Sequence, residues 1–162
     1  ERIRRERMEL VSLHRAHQTY MEQKPNFAIR AMIIKDGQVL LGKSIQGDSQ
    51  GKYAFPGGHL RYLESFKDCV IREVKEECGI EIENVRVPAV TNMIESHVRH
   101  NVHITLLADF KSGEATVMEP EKYESWGWYD IDDLPSPLVK NCELSIENYK
   151  NGTNYFDLEN QE

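Results

Sequence analysis

The segment running from Ser65 to Gly79 carries the marks of a helix together with both of its ends. Ser65 is followed three residues later by Asp68, the spacing of a capping box, in which side chains serve the unpaired N–H groups of a first turn. Gly79 stands where a chain leaving a helix turns left-handed. Between them Phe66, Val70 and Val74 recur every four residues, with Cys69 and Ile71 widening the stripe, so this face is expected to meet a core. Glu73, Glu76 and Glu77 are related by three- and four-residue steps and project within about 100° of arc. Carboxylates packed this densely repel, by roughly 3 kcal/mol per pair at about 4–6 Å and an effective dielectric near 20. The face is tolerated if it is fully solvated or if a cation sits among the acids, and hard oxygen ligands suit Mg²⁺ or Mn²⁺ rather than zinc.

The rest of the chain alternates around this helix. Residues 1–24 are highly charged, and Ile3, Leu10, His14, His17 and Met21 fall near one face, which predicts a charged helical extension closed by Pro25. Residues 27–34 are β-branched and apolar, Asp36-Gly37 is a hairpin turn, and residues 38–42 return. Residues 44–52 read as a loop and residues 53–55 as a short extended piece that Pro56-Gly57-Gly58 breaks. After the helix, residues 82–90, 93–96, 102–110 and 125–130 read as strands. Leu138, Cys142, Ile146 and Tyr149 line a terminal helix, and residues 151–162 are a polar tail that is expected to be loose, with Tyr155 and Phe156 as its candidate anchors. This order predicts an α/β fold with a mixed sheet covered on both sides, not a βαβ repeat.

The glutamates belong to a longer pattern: Gly58, five residues, Glu64, seven residues, Arg72-Glu73-Val74, one residue, Glu76-Glu77, one residue, Gly79-Ile80. At average residue usage such a match arises in a chain of this length with a probability on the order of 10⁻⁸. It resembles the Nudix box, G-x5-E-x7-R-E-U-x-E-E-x-G-U with U aliphatic, without a departure. Outside the box, Leu40-Leu41-Gly42-Lys43, Phe55-Pro56-Gly57-Gly58-His59-Leu60, Glu119-Pro120-Glu121-Lys122 and Trp126-Gly127-Trp128 look like the MutT-type branch, which includes nucleoside triphosphate diphosphatases. The likeness covers about residues 27–138. It implies a Nudix fold, an α/β/α sandwich around a mixed β-sheet, with the N-terminal helix as an addition and a hydrolase domain over residues 25–150. It further implies metal-dependent hydrolysis of a diphosphate linkage, with Glu73, Glu76, Glu77 and the Gly58 carbonyl as metal ligands, Glu64 in support and Arg72 orienting a glutamate. Glu73 or Glu77 on the helix, or Glu121 or Glu124 in the later segment, is the expected proton acceptor.

Base recognition has to come from elsewhere. Aromatic rings stack on a base and amides read its edge, which makes Phe27, Asn92, His100, His103, Trp126 and Trp128 candidates, with Lys43 for a phosphate. Trp126 and Trp128 alternate on one strand and so share a face, which fits a core as well as a base site. The leading expectation is a nucleoside triphosphate cut to monophosphate and pyrophosphate. ADP-ribose or a nucleotide sugar is the alternative within the chemistry, and a non-catalytic nucleotide-sensing domain the alternative outside it. Degenerate domains of the last kind usually lose box glutamates, and none is lost here.

Composition bounds these readings. Hydrophobic residues make up 40% of the 162-residue chain, enough for one core. The net charge of −7 disfavours a nucleic-acid-binding surface, although a bound divalent cation reverses the sign locally. No apolar run is long enough to span a membrane, and the charged first residues do not read as a secretory signal. Cys69, Cys78 and Cys142 form no C-x-x-C pair, so they are expected to be reduced thiols in a cytoplasmic protein. A homodimer using the N-terminal helix is a further expectation.

Overall fold

The computed structural model describes Met8, Ser12 and residues 25–96 and 99–158. The expected N-terminal helix therefore falls outside the described residues, apart from Met8 and Ser12, which are helical. One eight-stranded mixed sheet organises the remainder, in the order β3 (Tyr53–Ala54), β2 (Gln38–Ser44), β1 (Asn26–Lys35), β6 (Arg99–Ser112), β5 (Glu81–Ser96) and β8 (Tyr155–Leu158). Strand β1 (Asn26–Lys35) turns at Asp36 and Gly37, both with positive φ (49° and 79°), into β2 (Gln38–Ser44). Two consecutive left-handed residues are what a tight hairpin needs to match strand twist.

The hairpin diverges at once, and this divergence makes room for the site. β1 pairs with β2 only at Ile34–Val39 and Lys35–Gln38. Further back, the same edge of β1 pairs antiparallel with β4 (Gly57–His59), which follows the short β3 (Tyr53–Ala54). The other edge of β1 runs parallel to β6 (Arg99–Ser112), from Asn26–Asn101 to Ile34–Asp109. β6 forms a long antiparallel pair with β5 (Glu81–Ser96), and β7 (Tyr123–Asp130) lies outside β2.

Alternation along β1 sorts the core into two halves. Ile29, Ala31 and Ile33 face α1 (Phe66–Cys78), where they meet Val70, Val74 and Cys78. Met32 faces the opposite layer and packs with Phe55, Cys142 and Ile146 of α2 (Lys140–Asn151). The expected sandwich is therefore present, and the three cysteines are buried and free. Among the described residues, no helix is long and apolar enough to cross a membrane.

Two expectations are corrected and a third is sharpened. Phe66 and Ile71 do not enter the core: they are 42% and 39% exposed, and the buried face of α1 is Cys69, Val70, Glu73, Val74, Glu77 and Cys78. The two strands expected over residues 82–90 and 93–96 are one strand, which absorbs irregularity as register shifts around Glu83, Arg86 and Ala89. The tail is tied down at Tyr155 and Phe156 and for two residues beyond them, because Tyr155–Leu158 forms β8, parallel to β5 from Val90–Tyr155 to Met93–Leu158.

Candidate active site

Helix α1 begins and ends as its sequence dictates. The Ser65 hydroxyl accepts from the Asp68 N–H (3.1 Å) and donates to the Asp68 carboxylate (2.6 Å). Gly79 closes the helix in the left-handed region, φ 73°, with its N–H on the Lys75 carbonyl. These caps fix which residues face β4, and two of them are acids: Glu73 and Glu77 are only 7% and 2% exposed. Glu76 lies at the exposed side of the same arc.

Arg72 holds the outer acids. Its Nε and Nη2 donate to the two oxygens of Glu64 (2.7 and 2.9 Å), a bidentate pair that fixes both planes. Its Nη1 donates to Glu73 Oε1 (2.5 Å) and Glu76 Oε2 (3.1 Å). These bonds hold the Glu64 carboxyl well below the usual range, at about 2. Glu77 is held from the other side: its Oε2 accepts from the Gly57 N–H at 2.8 Å, and Lys122 Nζ stands 3.8 Å from Oε1. Burial pushes the Glu77 carboxyl up to about 7, against the opposing pull of the Gly57 N–H and the charges of Lys122 and Arg30.

The glycines before the helix are required by contact. Gly57 has φ 145°, and a Cβ there would sit 2.2 Å from the Ile29 carbonyl oxygen. A Cβ on Gly58 would sit 2.5 Å from the Glu73 carboxylate, so only bare backbone approaches the acids this closely. The residues named for metal binding and catalysis are thus gathered on one side of β4, with Arg72 and Glu64 among them. Among the described residues, however, no group of three acids, histidines or cysteines converges on one point, because Arg72 occupies Glu73 and Glu76 while the Gly57 N–H occupies Glu77.

The candidates for substrate recognition are scattered. Lys43 and Glu124 pair with each other across β2 and β7 at 3.0 Å. Trp126 packs on the α1 side of the core and donates from Nε1 to the Glu77 carbonyl (3.1 Å), so it braces the C-terminal end of α1. Trp128 stacks edge-on with Phe110 on the same side. Asn92 and His100 bond to each other (2.7 Å), and Asn92 also reaches Asp157 of β8 (2.8 Å). Phe27 is half-exposed on β1.

A polar cavity of about 730 Å³ lies on the other face of the sheet, against the N-terminus of α2. Of the sequence candidates only His103 lines it, in company with Arg30, Lys52, Arg99, Lys140 and Asn141, which the sequence reading did not single out. Arg30 joins the cavity to the acids: its Nη1 donates to the Gly57 carbonyl (2.8 Å), while the Gly57 N–H serves Glu77. A charged residue inside the apolar run of residues 27–34 was the available signal for it. Two buried polar atoms on the cavity wall lack partners among the described residues, His103 Nδ1 and Asn141 Nδ2. Burial, with the charges of Arg30 and His59, pushes the His103 imidazole down to about 4, so it is neutral at pH 7.

Known proteins share this arrangement. The NUDIX domain model matches residues 23–147. An ADP-ribose pyrophosphatase of Methanocaldococcus jannaschii is 30% identical over 79% of this chain and 76% of its own length. The NAD-capped RNA hydrolase NudC of Photorhabdus laumondii is 32% identical over 75% of this chain, which spans only 45% of that relative. A solved MutT NUDIX hydrolase from Burkholderia pseudomallei superposes with a TM-score of 0.74 at 35% identity, over 78% of this chain and 98% of that one. Domain match, sandwich and box geometry agree: the chain belongs to the Nudix hydrolase family and is a Nudix-type diphosphatase.

Proposed function

We propose that this enzyme cuts the diphosphate linkage of a nucleotide at the β4–α1 junction, with a nucleoside triphosphate yielding monophosphate and pyrophosphate as its leading substrate. The observation that carries the reading is the pair of buried glutamates, Glu73 and Glu77, turned towards the bare backbone of Gly57 and Gly58. Arg72 is shared among Glu64, Glu73 and Glu76 and Lys122 stands 3.8 Å from Glu77, so the acids outnumber these cations, and their oxygens are the donor type that Mg²⁺ and Mn²⁺ prefer. Glu73, Glu76, Glu77 and the Gly58 carbonyl would hold the metal. The fit is chemical as well as steric, since the missing Cβ of Gly58 leaves the backbone open beside the Glu73 carboxylate. When bound, a divalent cation supplies charge neutralisation and Lewis acidity to the diphosphate.

The chain's own residues supply the rest. Arg72 stays bidentate on Glu64 and keeps the arc of acids aimed as its bonds to Glu73 and Glu76 are exchanged. Glu77, anchored by the Gly57 N–H with Lys122 beside it, is the carboxylate placed to take the proton from an attacking water. The water oxygen then bonds to phosphorus as the bridging anhydride bond breaks, and the electron pair leaves with the departing phosphate. Lys122, beside Glu77, offers a charge for that group. The cavity receives the nucleoside, where neutral His103 meets a heterocycle's polar edge.

A second reading, ADP-ribose or a similar nucleoside diphosphate conjugate, is favoured by the relative named ADP-ribose pyrophosphatase and by a cavity large enough for two linked rings. Product analysis with Mg²⁺ over nucleoside triphosphates, ADP-ribose and nucleotide sugars separates the two. Release of neither pyrophosphate nor a nucleoside monophosphate from any of them rejects the reading. Glu76→Gln and Glu77→Gln are each expected to abolish most turnover while the fold persists; near-normal rates in both reject the metal assignment.

A further inference from the structure

We propose that the cavity beside α2 recognises a phosphomonoester remote from the scissile anhydride, so that the preferred substrates are nucleoside diphosphate derivatives carrying an additional phosphate. This rests on the hydrolase reading above and develops its second substrate reading, a nucleoside diphosphate conjugate, rather than the triphosphate. The chain has a net charge of −7, yet among the described residues the cavity is lined by four cations, Arg30, Lys52, Arg99 and Lys140, and by one carboxylate, Asp48. A concave, polar space lined mainly by one sign of charge focuses the field and raises the local concentration of anions.

The cations are not all placed for the anhydride. Arg30 sits at the end next to Gly57 and the acids. Arg99 lies two residues before Asn101, the partner of Asn26, whereas Arg30 lies four residues after Asn26. Six strand positions separate the two arginine backbones by roughly 20 Å, at about 3.3 Å per residue. Arg99 is held at its own end by Asp48 (2.5 Å), from the loop between β2 and β3. Lys52 and Lys140 are drawn to the same space by the chain itself. The Tyr53 N–H bonds to the Pro137 carbonyl (2.8 Å) and the Tyr53 carbonyl accepts from the Val139 N–H (2.9 Å), so the residue before Tyr53 and the residue after Val139 flank one junction.

The same junction opens the start of α2. Val139, its N-cap residue, makes no side-chain capping bond, and Asn141 in the first turn is 7% exposed with its Nδ2 unpaired. A helix start with unused donors, flanked by Lys52 and Lys140, binds a phosphate through backbone dipole and charge together. Among the described residues Lys52 has no ion-pair partner, and Lys140 has only the exposed Glu143 (3.1 Å).

Calorimetry on the full chain tests this, comparing AMP with adenosine 2′,5′-bisphosphate and adenosine 3′,5′-bisphosphate. At least one bisphosphate is expected to bind tenfold or more tightly than AMP, and the position preferred identifies the source of the phosphate. Lys52→Ala with Arg99→Ala should bring that ratio near one. Asp48→Asn should raise it, because it removes the carboxylate that competes for Arg99, an effect that general damage to the cavity would not produce. A ratio near one in the wild-type protein, a ratio unmoved by the double variant, or no binding of any of the three overturns the proposal. Turnover of the nucleotide panel with Mg²⁺ reports separately on the hydrolase reading, which stands if turnover persists without a phosphate preference.

Discussion

Replacement of Gly57 by Ala is the sharpest test of how the fold aims its acids. A methyl group at this position meets backbone on every near side: the Ile29 oxygen at 2.2 Å, Arg30 Cα at 2.9 Å and the Ile29 carbonyl carbon at 3.1 Å. No side-chain rotation relieves such contacts. A carbon beside a carbonyl oxygen needs about 3.3 Å, so β4 has to retreat from β1 by roughly 1 Å. Three hydrogen bonds at this point are then stretched out of range: Ala31 N–H to the Pro56 carbonyl (2.9 Å), Arg30 to the Gly57 carbonyl (2.8 Å) and Gly57 N–H to Glu77 (2.8 Å). Each is worth about 0.5–3 kcal/mol net, more when one partner is charged, and the unfavourable φ adds about 1–3 kcal/mol. The sum, after partial relaxation, is on the order of 3–5 kcal/mol. For a chain of this size that lowers Tm by roughly 10 °C or more.

The control is Gly79→Ala. It shares the positive φ (73°), but its nearest neighbours are the side chains of Thr116 and Met118 at 3.2 Å and beyond, which can move. That variant is expected to lose about 1 kcal/mol, the cost of the left-handed conformation alone. Urea denaturation of the two variants separates clash from strain, and turnover of Gly57→Ala should fall with the loss of the Glu77 anchor. Equal denaturation midpoints for the two variants, or full activity in Gly57→Ala, would refute the claim that bare backbone at this point positions the acid.

Other expectations follow from burial and charge. The Glu77 carboxyl is raised to about 7, so its neutral form contributes stability that is present below the unfolded-state value of about 4.5 and lost as pH rises through 7. Metal-free Glu77→Gln should therefore outlast the wild type in urea by about 2–3 kcal/mol above pH 7, with the gap closing at pH 4.5; a constant gap counts against burial as the cause. His103 is shifted the other way, to about 4, so its contribution is present above pH 6.5 and lost as pH falls through 4. His103→Gln should lose less stability than the wild type between those limits, and parallel acid profiles would contradict this. Phe66→Ala should cost less than about 1 kcal/mol because the ring is 42% exposed, whereas Val70→Ala, wholly buried, should cost about 2 kcal/mol; the reverse order in denaturation would overturn the assignment of the helix face.

Phe66 also shows what periodicity leaves open. Spacing by four residues places it at the azimuth of Val70 and Val74, yet azimuth does not say how far along the helix the sheet extends, and the first turn lies beyond it. The buried acids hid the true inner face in the opposite sense. Glu73 and Glu77 are hydrophilic by type, so a sequence reading sets them against the core, but the backbone of β4 accepts them where a side chain would not fit. β8 was illegible for another reason: a strand of four residues, Tyr155–Leu158, owes its existence to an edge of β5 more than sixty residues earlier.

The contrast between the two halves of the site has one physical origin. The acids, Arg72 and Glu64 lie within a single stretch from Gly58 to Ile80, where helical geometry converts spacing directly into position. The cavity draws Arg30 from β1, Lys52 from the approach to β3, Arg99 and His103 from β6 and Asn141 from α2, and only strand pairing brings these together. Nothing local ties their identities to one another, so apart from His103, named for its ring, each looked like an ordinary polar residue in its own element. The two halves meet at Gly57, whose carbonyl holds Arg30 and whose N–H holds Glu77. A single peptide position thus fixes the distance between Glu77, the proposed proton acceptor, and the cavity proposed to select the substrate. Substitutions in the cavity should accordingly change which nucleotide is cut while leaving the bond that breaks the same, and substitutions at Gly57 should damage both.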